Sequence, residues 1–283
     1  MLSAAYTLHR PSAVALPIVV DSPHSGSDYP PGFQCLATPA QLRQAEDAFV
    51  DALYAHAPAY GASLLAARFA RLYIDPNRSL QDLDPLLLDG RWPEPLQPGE
   101  KARLGIGLVW RLLEGKPLYR APLPVAEVQR RIEHCWRPYH QALQALLDDA
   151  LALHGARWHL NVHSMPDDSY RLLGMHERPL ADFVLGNRDG STSDEATMDV
   201  LEDSLRASGF TVARNDPFKG VEIVRHSGHP ARHCHAVQVE VKKSLYMDTK
   251  SHQPHDGFAE VQAAIDRMLQ ALAAHAQREL AGR

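Results

Sequence analysis

Trp158-His159-Leu160-Asn161-Val162-His163-Ser164-Met165-Pro166 is the stretch of the 283-residue chain from which the fold is read. Leu160 and Val162 alternate as the buried residues of a short strand, His163 falls at or just past its carboxyl end, and Pro166 lacks the N–H that would continue the ladder. In an open α/β sheet that end is where ligands bind. His163 is therefore placed at a cleft edge, and the other segments are read for what they bring to it.

Upstream, Ile18-Val19-Val20-Asp21 reads as a second buried strand, followed by a turn, Ser22-Pro23-His24-Ser25-Gly26, that carries another histidine. Thr38-Pro39-Ala40-Gln41 has a helix-starting pattern: Thr as N-cap, Pro at the first helical position, Gln three after the cap. Leu42, Ala45, Phe49 and Leu53 continue it at helical spacing as far as Pro58 and Gly61, which places Glu46, Asp47 and Asp51 on a helix. Strands are predicted over 63–66 and 71–74, the second leading into Asp75-Pro76-Asn77-Arg78. Residues 79–103, rich in proline, glycine and charge, predict an irregular excursion of the kind that borders a site. A long helix starts near Pro124, is kinked at Pro138 and stops at Gly155.

Downstream, strands are predicted over 182–185, 210–213, 221–224 and 236–241. A capping box at Thr192-Ser193-Asp194-Glu195 starts a helix that ends at Gly209, and a helix over 256–279 closes the chain. No repeat, linker or low-complexity tract divides it, so residues 1–283 read as a single α/β domain, a mixed β-sheet flanked by helices.

A formal charge of -5 and the lack of any Lys/Arg-rich block disfavour nucleic acid and anionic membranes as partners. No apolar run is long enough to span a bilayer; the stretch 13–20 is broken by Pro17 and reads into the first strand. Cys35, Cys135 and Cys234 are odd in number and form no CxxC pair, which fits a reducing cytoplasm.

His24 and His163 each follow an apolar strand, and Asp47 could return its carboxylate to the same edge. Two imidazoles and a carboxylate leave one position open on tetrahedral zinc; the alternative is histidines satisfied by backbone carbonyls in their turns. In 236–241 the valines at 237, 239 and 241 take one face, so Gln238 and Glu240 take the other. A carboxylate there needs a partner or a task, such as general base beside a metal, unless the strand lies at a wet edge. Asn77 and Arg78 can grip a planar carboxylate or simply complete a turn capped by Asp75. His226, His229, His233 and His235 read as a mobile His-rich loop, Gly186 to Gly190 as a glycine-rich turn, and Ser25 and Ser164 lie in no nucleophile-elbow sequence.

Seven segments taken together carry a family likeness. Pro23-His24-Ser25-Gly26, Asp75-Pro76-Asn77-Arg78, Gly107-Leu108-Val109-Trp110-Arg111, Trp136-Arg137-Pro138-Tyr139-His140, His163-Ser164-Met165-Pro166, Asn215-Asp216-Pro217-Phe218-Lys219-Gly220, and Gln238-Val239-Glu240 with Ser244-Leu245-Tyr246-Met247-Asp248 resemble, in order, the N-formylglutamate amidohydrolase (deformylase) family. The resemblance implies a fold similar to the zinc carboxypeptidases and aspartoacylase, of the phosphorylase/hydrolase-like kind. It implies that His24 and His163 bind Zn2+, or another divalent transition metal, with Asp47 as acidic ligand and Glu46 as the alternative. Glu240 becomes the general base, and Asn77 and Arg78 the substrate-carboxylate clamp. Arg225 is the expected partner of a second carboxylate, with Arg171 and Arg111 as alternatives. The implied activity is zinc-dependent hydrolysis of the small molecule N-formyl-L-glutamate to formate and L-glutamate in histidine breakdown. Deacylation of another N-acyl amino acid, or non-catalytic carboxylate or metal binding on the same fold, stand beside it. The chain departs from the family pattern at Asn161, where an aspartate often precedes the His-Ser pair, and at Lys242-Lys243, which replaces Asn-Arg.

Overall fold

In the computed structural model, which describes residues 4–282, seven strands form the main sheet: β1 (Tyr6–His9), β2 (Ile18–Ser22), β3 (Ser63–Ala67), β4 (Arg157–Met165), β5 (Phe183–Gly186), β6 (Val212–Arg214) and β7 (Cys234–Lys242). Their order is β1-β3-β2-β4-β7-β5-β6. β2 and β7 flank β4 in parallel, β5 runs antiparallel to β7, and β6 pairs parallel to β5. The architecture is the mixed α/β one expected.

Register decides which side chains share a face. Asn161 is paired with Asp21 on one side and Gln238 on the other, and His163 is paired with Glu240. Because successive side chains alternate, Asp21, His159, Asn161, His163, Gln238 and Glu240 form one polar face across the three central strands. Val20, Leu160, Val162, Val237, Val239 and Val241 form the apolar one. The edge-strand alternative for β7 is excluded: it has a partner on each side, and Glu240 is only 7% exposed.

The helices are α1 (Pro39–Gln44), α2 (Val50–Leu53), α3 (Glu100–Arg103), α4 (Val125–Arg131), α5 (Arg137–His154), α6 (Ser169–Leu172), α7 (Glu195–Ala207), α8 (Glu222–Ser227) and α9 (Gly257–Ala281). The capping box at Thr38 forms as read, Gln41 N–H donating to Thr38 Oγ1 and Thr38 N–H to Gln41 Oε1. Between α4 and α5 the residues Ile132–Trp136 take a π-helical turn, which absorbs the distortion that Pro138 imposes on the preceding turn. Gly155 ends α5 at φ +71, as expected for a left-handed C-terminal residue.

Four local expectations are corrected. The helix begun at Thr38 stops at Ala45, so Asp47 lies in a loop, its N–H given to His24 O (3.0 Å) before Phe49 turns left-handed. Residues 71–74 are a turn, with Ala70 O accepting from both Tyr73 N–H and Ile74 N–H. Residues 221–224 enter α8 instead of a strand. The cap of α7 is Asp194, because Thr192 is already bonded through hydroxyl and carbonyl to Ala236 of β7.

Contacts along the chain group into two units. Among the described residues, one contains 4–7, Pro23–Ala48 and Ala66–Leu143; the other contains Leu8–Ser22, Phe49–Leu65 and 144–282. The first holds the turn 75–78 and the excursion that follows it. The second holds β2, β4, β5, β6 and β7 with α7 and α9. No helix among the described residues is long and apolar enough to cross a membrane.

Candidate functional site

In the first unit the Asp75-Pro76-Asn77-Arg78 turn is held from three directions. Asp75 N–H donates to Leu108 O (2.7 Å), Trp136 Nε1–H to Arg78 O (3.0 Å) and His140 Nε2–H to Pro76 O (2.8 Å). Trp136 and His140, four apart across the junction of the π turn and α5, stack at 3.7 Å on one helix face. Gly107 lets this packing close, since a Cβ there would meet Asp82 O at 2.4 Å. The segments 107–111 and 136–140 thus share one task, positioning the turn.

The turn positions His24. Its Nε2–H donates to Asp75 Oδ1 (2.7 Å), and its Nδ1 lies 3.3 Å from Asp47 Oδ2. Asp75 Oδ1 also accepts from Asn77 N–H, and Arg71, resting over Trp110, bridges Asp75 (3.2 Å) and Asp47 (3.5 Å). Burial opposes the charge on Asp75, but the charges of His24, Arg71 and Arg78 outweigh it and hold the carboxyl well below the usual range. Asp75 is therefore an ionised acceptor and not merely a turn cap. Gly26 keeps the His24 loop close to the backbone of 67–69, where a Cβ would sit 2.5 Å from Arg68 C.

In the second unit His163 is held from its own strand. Asn161 Nδ2–H donates to Asp21 Oδ1 (2.8 Å), which turns the amide oxygen toward His163 Nε2 (2.8 Å). An acceptor there requires the proton on Nε2. Beside it Gln238 Nε2–H donates to Glu240 Oε1 (2.9 Å), leaving the carboxylate of Glu240 register-paired with His163.

His24 and Asp47 of the first unit and His163 of the second are all buried. The donor set fits a divalent transition metal: two imidazoles, each with Nε2 against an oxygen acceptor, and a carboxylate. The 3.3 Å approach of His24 Nδ1 to Asp47 Oδ2 is a spacing at which both atoms can reach one cation. Glu46, the alternative acidic ligand, instead pairs with Arg43 at 2.5 Å.

The model of the N-formylglutamate amidohydrolase family matches residues 16–247. An N-formylglutamate deformylase of Pseudomonas putida is 32% identical over 265 residues, covering 92% of this chain and 93% of its own. The chain belongs to the N-formylglutamate amidohydrolase family. It is accordingly a hydrolase acting on an amide. The crystal structure of an N-formylglutamate amidohydrolase from Ralstonia eutropha superposes with a TM-score of 0.96 at 47% identity, covering 98% of this chain and 99% of that one. A gene product of Agrobacterium tumefaciens, 18% identical with a TM-score of 0.63, shares the fold.

The cations of this amidohydrolase are unevenly placed. Arg78 is half-buried, with Nη1–H on Asn77 O (3.3 Å) and Nε 4.0 Å from Asp82. Arg225 is paired with Glu222 at 2.8 Å, Arg111 with Asp84 at 2.6 Å, and Arg171 is exposed beside Asp168. Lys101 of α3, unremarked in the sequence, has its pKa lowered by burial, then by Arg78 and Arg71. Its signal in the sequence is no more than membership of the irregular excursion. At the second family departure, Lys242 forms a 2.9 Å ion pair with Asp182 and Lys243 is buried. The His-rich segment separates: His226 pairs with Glu222, whereas His235 is buried against Trp158.

Proposed function

We propose that this chain hydrolyses the amide bond of N-formyl-L-glutamate, releasing formate and L-glutamate, a step of histidine breakdown, with zinc held by His24, Asp47 and His163. The observation that carries the proposal is the buried approach of His24 Nδ1 to Asp47 at 3.3 Å in a chain of this family. The names and identities of the relatives support the substrate.

A divalent cation bound there supplies Lewis acidity and lowers the pKa of a water from about 15.7 to about 7. Glu240 would serve as general base, taking a proton from the attacking water as the water's oxygen bonds to the formyl carbon. The same carboxyl then returns a proton to the amine nitrogen as the C–N bond breaks. Gln238, donating to Oε1 of Glu240, orients that carboxylate for the transfer. Arg78, with Asn77 buried beside it, binds one substrate carboxylate. The second carboxylate falls to Lys101 or Arg225. Lys101 is favoured by its clustering with Arg78 and Arg71, whereas Arg225 would have to exchange Glu222 for substrate.

Glu240→Gln tests the assignment. The variant is expected to retain stoichiometric zinc while kcat falls by about 100-fold or more. Near-normal turnover would remove Glu240 from the reaction.

A further inference from the structure

The mechanism above leaves two fully buried titratable groups unused, Asp21 and His159, on the polar face of the central strands. Asp21 Oδ1 accepts from Asn161 Nδ2–H at 2.8 Å and lies 2.8 Å from His159 Nε2. His159 Nδ1 in turn lies 2.8 Å from Ser227 Oγ, whose hydroxyl also reaches Ile223 O in α8 at 3.0 Å. The series His163, Asn161, Asp21, His159, Ser227 is thus a continuous file of hydrogen bonds through three elements. Each strand member is set by register, since Asp21 and Asn161 are opposite one another and His159 is two residues along β4.

An amide can be inverted in place, and an inverted Asn161 would offer an N–H to His163 and leave its Nε2, not Nδ1, as the lone pair. What prevents inversion is the carboxylate behind it, which accepts only from a donor. His159 and Ser227 hold that carboxylate in turn.

We infer that Asp21, braced by His159, is a positioning residue for His163: it locks the Asn161 amide in the orientation that keeps the His163 proton on Nε2 and presents Nδ1 as the metal donor. This rests on His163 being a metal ligand. The network has a property that a merely structural cluster lacks. Exchanging the two side chains, with aspartate at 161 and asparagine at 21, keeps one carboxylate and every bond. The carboxylate, moved to position 161, would accept directly from His163, and the amide nitrogen at position 21, standing where the one Asp21 oxygen meets both neighbours, would donate to that carboxylate and to His159 Nε2, the His159 proton moving to Nδ1 against Ser227.

The experiment measures Zn2+ affinity of metal-free protein by competition with a chromophoric chelator, with thermal melting as the check on folding. Asp21→Asn is expected to weaken zinc binding by about 10-fold or more, the usual cost of losing an outer partner of a ligating histidine. The exchanged double variant, Asp21→Asn with Asn161→Asp, is expected to bind within about 3-fold of the parent or tighter. Unchanged affinity in Asp21→Asn overturns the inference, as does a double variant no better than the single one. If Asp21→Asn does not fold, the double variant decides alone: folded with parental affinity it supports the inference, and unfolded or weak-binding it refutes it. His163→Ala separates the two levels. Loss of zinc there, with Asp21→Asn unaffected, sinks only the positioning role, whereas parental zinc binding in His163→Ala sinks the ligand assignment itself.

Discussion

The supports of His24 and His163 differ in kind. His24 meets a carboxylate directly: Asp75 accepts its Nε2–H, and Arg71 stands behind Asp75. His163 meets an amide, and behind Asn161 stand a carboxylate and a further histidine. The direct contact raises the basicity of a ligating imidazole most; the amide contact fixes its tautomer while moving the negative charge one residue further away. The lesson is that orientation and electron donation, often supplied by one group, can be separated. A carboxylate touches His24, where a guanidinium balances it, and an amide touches His163, where the next group inward is itself acidic.

The largest effects come from removing either histidine. His24→Ala and His163→Ala are each expected to weaken Zn2+ binding by more than about 100-fold, beyond the loss typical of outer partners, as read by chelator competition. Parental binding in either variant would show that one arm does not hold metal at all. Next comes Asp75→Asn, expected to cost about 10- to 100-fold and to exceed Asp21→Asn. Equal losses would erase the distinction between direct and relayed support. The smallest effect is expected at Lys242→Asn, which restores a family residue: about 0.5 kcal/mol of stability from a partly exposed ion pair with Asp182, with kcat/KM unchanged. A large change in kcat/KM would move this departure from the strand's rim into the site.

Much of this comparison is legible in the sequence, and its limits are physical. Periodicity locates β2, β4 and β7, because buried strands leave long apolar alternation, and the Thr38 box and α9 have strong local signals. Four-residue runs do not separate a period of 2 from one of 3.6. Ile223, Val224 and Ser227 are buried on a helix, and Leu72 packs against Trp110 and Leu118 from a turn. Asp47 is a candidate from its sequence neighbourhood, yet it sits on a loop and not the expected helix, since that loop is set by the distant carbonyl of His24. Asp75 reads as a turn cap, because nothing local reveals that the residue 51 positions earlier will donate to it. Asn161 stands out as a departure; that its amide is held by Asp21 depends on strand register, which no single segment encodes. Lys101 is hidden for the same reason, its neighbours Arg71 and Arg78 lying more than twenty residues upstream.

The central claim is that a metal-dependent site built on His24, Asp47, His163 and Glu240 cleaves N-formyl-L-glutamate. It is tested most directly by measuring formate release from that substrate with purified protein, before and after a chelator and again after stoichiometric Zn2+. The expected result is turnover that the chelator abolishes and zinc restores, with N-acetyl-L-glutamate a markedly poorer substrate. Formate release that survives full removal of metal, or none in the zinc-loaded protein, would contradict it.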